Sequence, residues 1–294
     1  MSTSPKPVVN VLVALSCEAK PFVDFFRLSK AGSAPFPFFI SSPEADSSAF
    51  TLNLVVSGVG VVNVAAACGW LAAQAGSPDG VWLNCGVAGH STLPIGGIAR
   101  VVSCTDLVKP RINQRTHYPP LVAKWSGRCV SVTTHAAPCT DYADDSAVDQ
   151  EASGFFTTAR RFASSELVQS LKVISDNRQS DLDQLDSALI SQLIAANMAE
   201  IDAFISSMVA LLPATTENRT ARADIAHLHC TTSQLQQYLD LVSKLATIDI
   251  DEATVSGKSK SAVSMKNLLN DLRKLQQQTP PNLASQPVVS ERHS

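Results

Sequence analysis

The chain has 294 residues with 23 Lys and Arg against 26 Asp and Glu, a net charge of −3, and is 45% hydrophobic and 17% charged. That length fits one large domain or a domain plus an appendage, and the near-neutral balance leaves no electrostatic footprint for nucleic acid or an anionic membrane. No apolar run reaches the ~18 residues of a membrane-spanning helix, and seven cysteines without a Cys-x-x-Cys pair, Cys85, Cys104 and Cys129 among them in apolar segments, point to a reducing, cytoplasmic setting.

Along the chain, Val8–Leu15 is a continuous β-branched run, the pattern of a strand buried on both faces. A helix is expected over Glu18–Arg27, with Phe22, Phe25 and Phe26 at helical spacing. Phe36–Ser41 and Phe50–Ser57 read as paired strands around a polar turn, and Gly58-Val-Gly60 as a tight turn leading into an alanine-rich helix over Val61–Ala75. Val81–Cys85 and Ile98–Val108 read as strands, 109–127 as a loop, Cys129–Thr134 as a strand, Ser146–Ala163 as mostly helix and Leu167–Ser175 as a strand. One long helix is expected from Leu182 through Met208, ended by Pro213.

Alternation of this kind predicts an α/β fold, with a mainly mixed central sheet flanked by helices in three layers. Beyond Pro213 the composition shifts. Residues 215–220 read as a linker, Ser233–Leu245 and Ser264–Leu275 as amphipathic helices, and Thr254–Ser261 between them as a polar, mobile segment. The expected organisation is a domain over 8–212, a helical extension over 213–278 and a disordered tail over 279–294.

Three carboxylates stand out because each sits at the end of an apolar segment. Asp176 ends Val173-Ile-Ser-Asp176, Glu18 follows the first strand, and Glu151 opens a helix after a strand and loop. Ligands of open α/β sheets bind outside the carboxyl ends of the strands, so these acids are placed to converge on one pocket. Each is also an ordinary residue for a loop or helix start. His227-Leu-His229-Cys230 has no second cluster to complete a metal site, and neither metal nor cofactor is expected.

The segments Val11–Ala19, Val55–Gly60, Asn84-Cys-Gly-Val-Ala-Gly89, Pro94–Ile98, Asp149-Gln-Glu-Ala152 and Val173–Asp176, in that order, resemble the purine and uridine phosphorylase superfamily. The likeness is strongest to its nucleosidase branch, the methylthioadenosine/S-adenosylhomocysteine nucleosidases, and covers about Val8 to Leu212. It implies a nucleoside phosphorylase-like fold, a nucleoside as substrate and a homodimer. It also implies that Asp176 gives a proton to the leaving purine, that Glu151 binds the ribose hydroxyls, and that Glu18 activates water. Gln150, Val87, Ala88 and Gly89 would complete the substrate-binding surface.

This chain departs from the pattern at several positions. Val87 stands where Ser or Thr is common, Gln150 replaces a Met, His90 replaces a small residue, and 133–149 lacks the stacking Phe, leaving His135 or Phe155 to supply a ring. Asn84 occupies the place of a phosphate-binding arginine in the phosphorylases, which favours water over phosphate as nucleophile. A phosphorylase using Arg27 or Arg100, and a nucleoside-binding protein without turnover, remain the alternatives.

Overall fold

Side chains alternate across a strand, and in β1 (Val8–Val13) this sends Val9, Val11 and Val13 to one face of the sheet and Leu12 to the other. The neighbouring strand β4 (Thr51–Val56) divides likewise, with Leu52, Leu54 and Val56 on the first face and Val55 on the second. Each face is covered by helices, and three layers result. On the first lie α1 (Ser16–Phe26) and the helices α4 (Ser187–Ala195) and α5 (Met198–Val209). On the second lie α2 (Val61–Ala75) and α3 (Ala152–Ala159), which pack on each other.

The computed structural model describes residues 6–41, 49–75, 80–108, 112, 114–142, 144–180, 185–212, 221, 223–247 and 250–278. Pro5–Leu212 form one compact unit and the residues from Pro213 onward belong to another. In the first unit the remaining strands are β2 (Leu28–Gly32), β3 (Phe38–Ser41), β5 (Val81–Gly89), β6 (Ile98–Asp106), β7 (Thr116–His117), β8 (Arg128–Thr134), β9 (Ala147–Asp149) and β10 (Val168–Asp176). Strands β4, β1, β5 and β10 are neighbours in that order and all parallel, so their carboxyl ends emerge together. β10 continues through β6 and β8 to β9, which returns to pair with the tip of β5 at Gly89 and Val148. This ring brings the end of β9 beside the ends of β5 and β10.

Several expectations are corrected. The strand expected over Val81–Cys85 runs on to Gly89, so the motif Asn84–Gly89 lies within β5. The single long helix is two, bent by 56°. At the break, Asn197 Nδ2 donates to the carbonyls of Leu193 (2.8 Å) and Gly96 (3.0 Å), tying the end of α4 to the turn before β6. The loop at 109–127 contains β7, the helix expected over Ser146–Ala163 contains β9, and β2 was not anticipated. Cys85 and Cys104 are buried, but Cys129 is exposed, and all seven thiols are free. Among the described residues no single helix is long and apolar enough to cross a membrane.

The second unit contains α6 (Thr232–Thr247), α7 (Glu252–Ser261) and α8 (Met265–Gln278), around a core that includes Tyr238, Leu245, Val255, Leu268 and Leu272. The segment Thr254–Ser261, expected to be mobile, is most of α7. Its start is capped by Asp251, which accepts the N–H of Thr254 at 2.8 Å, and Tyr238 bonds the buried Ser259 at 2.8 Å. The expected linker over 215–220 and tail over 279–294 lie outside the described residues.

Candidate active site

A cavity of about 210 Å³ opens where the strand ends meet, and Glu18, Glu151 and Asp176 all line it. Val87, Ala88, Gly89 and Gln150 line it too, with Leu15, Val59, Pro138, Val148, Asp149, Ser175 and Leu185. The structure thus brings these seven residues, all named for this site in the sequence, to one cavity. His135 and Phe155 do not join them. Phe155 is fully buried against Phe156 in the core, and His135 bonds Thr133 at 3.1 Å.

Glu18 is 2% exposed, and its carboxylate is held by backbone alone. Oε2 accepts the N–H groups of Ala14 (2.8 Å) and Leu15 (2.9 Å), while Oε1 accepts that of Val87 (3.0 Å). A carboxylate has about four lone-pair sites, so one is left for a further donor. Burial pushes its pKa above the ordinary carboxylate range, against the three N–H donors and Lys172, which favour the charged form. Gly86 is required beside it: a Cβ there would lie 2.8 Å from Glu18 Oε1.

Glu151 accepts the N–H of Gly60 at 2.9 Å, and Gly60 adopts φ of 102°, a conformation open to glycine. Burial, with the nearby charges of Asp149 and Glu18, pushes the Glu151 pKa from 4.5 up to about 7, against the opposing pull of Lys172 and the Gly60 N–H. Asp176 accepts two hydroxyl donors, Ser175 Oγ on Oδ1 at 2.5 Å and the Tyr142 phenol on Oδ2.

Lys172, Asp149 and Tyr142 were not singled out in the sequence. Lys172 is 1% exposed on β10, and its Nζ meets Asp149 Oδ2 at 2.7 Å. Burial opposes its charge, yet Asp149, Glu151 and Glu18 together hold it well above the usual lysine range. Asp149 also accepts from Thr134 Oγ1 (2.7 Å) and from the N–H of Ala152 at the start of α3 (2.8 Å). The signal for Lys172 was a lysine inside an otherwise apolar strand.

Two outcomes are expected. Lys172→Met leaves the buried Asp149 and its neighbours without their cation, and unfolding in urea should register a loss of about 3–5 kcal/mol; a loss of a few tenths would show that the pair is not the organising charge. For Glu151, a folded-state pKa above the unfolded one means the folded protein holds the extra proton between about 4.5 and about 7. Stability from this group therefore falls as pH rises through that window. Glu151→Gln removes the effect, so its melting temperature relative to the unmodified protein should be higher at pH 8 than at pH 5. An equal difference at both pH values would contradict the raised pKa.

No protein-family model and no curated protein matches the chain. Solved structures do match. The Campylobacter jejuni 5′-methylthioadenosine/S-adenosyl homocysteine nucleosidase aligns with a TM-score of 0.53 and 17% identity, over 70% of this chain and 99% of that one. A futalosine hydrolase mutant of Helicobacter pylori aligns with a TM-score of 0.55 and 14% identity, over 69% and 99%. The Colwellia psychrerythraea methylthioadenosine/S-adenosylhomocysteine nucleosidase in complex with adenine gives 0.53 and 14%, over 70% and 96%. The chain has the fold of these nucleosidases, with a further helical unit beyond it.

Proposed function

We propose that the protein is a purine nucleosidase-like N-ribosyl hydrolase, cleaving a nucleoside to free base and sugar. The observation that carries this is the convergence of Glu18, Glu151 and Asp176 on one cavity, with Glu18 keeping one acceptor site open. In this reading a water donates to Glu18 and its oxygen attacks the anomeric carbon. The water proton passes to Glu18, the C–N bond breaks with its electron pair going to the base, and Asp176 serves as the proton donor to a ring nitrogen. A base with a raised pKa suits the first transfer near neutral pH. Glu151 accepts from the ribose hydroxyls through charge-assisted bonds, and Gln150, Val87, Ala88 and Gly89 enclose the substrate.

Water is favoured over phosphate by charge. Among the described residues, no arginine or lysine lines the cavity. Arg100 is committed elsewhere, bonding Gln169, Ala123 O and Pro120 O and stacking over Phe204. One feature supports the reading as a nucleoside-binding protein without turnover: both Asp176 oxygens already accept hydroxyl donors.

Free base should appear from a purine nucleoside equally with and without phosphate, tested over adenosine, inosine, methylthioadenosine, S-adenosylhomocysteine and pyrimidine nucleosides. Asp176→Asn should cut turnover by about 10²-fold while ligand still binds, the scale of lost general-acid catalysis. Glu18→Gln should lower the hydrolytic rate, and Glu151→Gln should weaken sugar binding as well. Strict dependence on phosphate would favour a phosphorylase, and tight binding without base release the non-catalytic reading.

A homodimer in a cytoplasmic setting belongs to this proposal. Val62 at the start of α2 is 76% exposed and Val59, 42% exposed, reaches the cavity, so an apolar edge of the site faces outward. The free thiols fit a reducing compartment. Light scattering at micromolar concentration should give twice the chain mass, and Val62→Lys should shift it to the monomer. A monomeric unmodified protein would remove the dimer from the proposal.

A further inference from the structure

Tyr142 is a buried residue beside the site that the proposed chemistry does not by itself use. It is 4% exposed, and it is absent from the residues lining the cavity although Pro138, Cys139, Ser175 and Asp176 are among them. Its phenol donates to Asp176 Oδ2 from behind the cavity wall. The segment that carries it is pinned to both strands beneath. Arg178, just past β10, donates to the Tyr142 carbonyl. His90, just past β5, accepts the N–H groups of Thr92 and Leu93 on Nδ1 (both 3.1 Å), which leaves Nε2 to donate to Asp145 O at 3.2 Å. Gly89 gives the pair its room: a Cβ there would lie 2.4 Å from Asp176 Oδ2 and 2.8 Å from the Tyr142 hydroxyl.

We propose that Tyr142 is a positioning residue for Asp176, fixing one carboxyl oxygen from outside the cavity so that the group presents a single orientation to the leaving base. A carboxyl group rotates freely about its bond to Cβ unless both oxygens are engaged. Ser175 holds Oδ1 and Tyr142 holds Oδ2, so the plane is set before substrate enters. Preorganisation of this kind acts on the chemical step more than on binding. Tyr142 does not border the cavity, so substrate affinity is not its expected effect. The inference rests on the reading of Asp176 as the proton donor.

The test is Tyr142→Phe in the full chain, which keeps the ring and removes the donor, with base release measured over substrate concentration. We expect kcat to fall about 10-fold, as for loss of one hydrogen bond, with KM changed less than about two-fold and folding intact by circular dichroism. In an Asp176→Asn background the same change should have little further effect, since Tyr142 acts only through Asp176. Arg178→Ala, which loosens the segment without touching Asp176, should give a smaller fall in kcat at the same KM and serves if Tyr142→Phe does not fold. An unchanged kcat in Tyr142→Phe overturns the proposal and leaves the hydrolase reading intact. So do a KM and a melting temperature that move in step with kcat, or losses that add in the double variant. An unmodified protein that releases no base from any nucleoside overturns the hydrolase reading, and this inference with it.

Discussion

Glu18, Asp149 and Glu151 bring three carboxylates together out of water, and the buried ammonium of Lys172 offsets their mutual repulsion. At interior dielectric, like charges a few ångströms apart cost several kcal/mol each, while an opposite charge among them offsets the cost. Lys172 contacts Asp149 at 2.7 Å and pulls against the upward shift that burial imposes on both Glu18 and Glu151. Its own charge is held by the same acids against burial. The cation and the acids thus support one another's charge. Position matters as much as charge. Lys172 lies opposite Gly86 in the β10–β5 pairing, and Gly86 is where the Glu18 carboxylate closes on the strand.

Strand β5 therefore serves as the floor of the site through its missing side chains. Gly86 admits Glu18 and Gly89 admits Asp176 and Tyr142, each at a distance a Cβ would occupy. Between them the N–H of Val87 faces Glu18. Glycine in a strand interior costs stability through backbone entropy and lost packing. Here the cost lies where backbone and carboxylate must approach. The glycines of Asn84–Gly89 are thus explained by close approach in an extended strand, not by a turn.

Much of the fold was legible because strand alternation and helical spacing report burial directly. Val8–Val13 and Val61–Ala75 emerge close to their expected bounds. The acids were legible because each ends an apolar segment, and a carboxylate there needs a polar destination. Lys172 was not, since a lysine within an apolar run is indistinguishable in sequence from one whose stem is buried and whose charge reaches solvent. Tyr142 was hidden for another reason: its partner Asp176 is set by tertiary contact across a polar loop of no periodicity. The break at Asn197 and the cap at Asp251 rest on a few side-chain bonds, the first reaching the distant carbonyl of Gly96 and the second wholly local. Periodicity carries neither. The local one was legible in principle, because Asp three residues before Thr254 is a cap pattern.

The walls of the cavity constrain what the site can recognise. Leu15, Val59, Val87, Pro138 and Leu185 give it aliphatic sides, and among the described residues no aromatic ring lines it. A base held there gains apolar burial on its faces without ring stacking, and burial of that kind discriminates weakly between bases. In the proposed reading, discrimination then falls to the edge of the base, toward which Asp176 and Ser175 would present polar groups, while the N–H of His90 is spent on Asp176 O at 3.0 Å. Hydrogen-bonded sites reject a mismatched edge far more strongly than apolar ones do. A carboxyl group whose orientation is fixed on both oxygens can discriminate in this way, whereas a freely rotating one would adapt to either a donor or an acceptor. The aliphatic walls and the clamped Asp176 are thus linked: as the faces offer less selectivity, more depends on how rigidly the edge is presented.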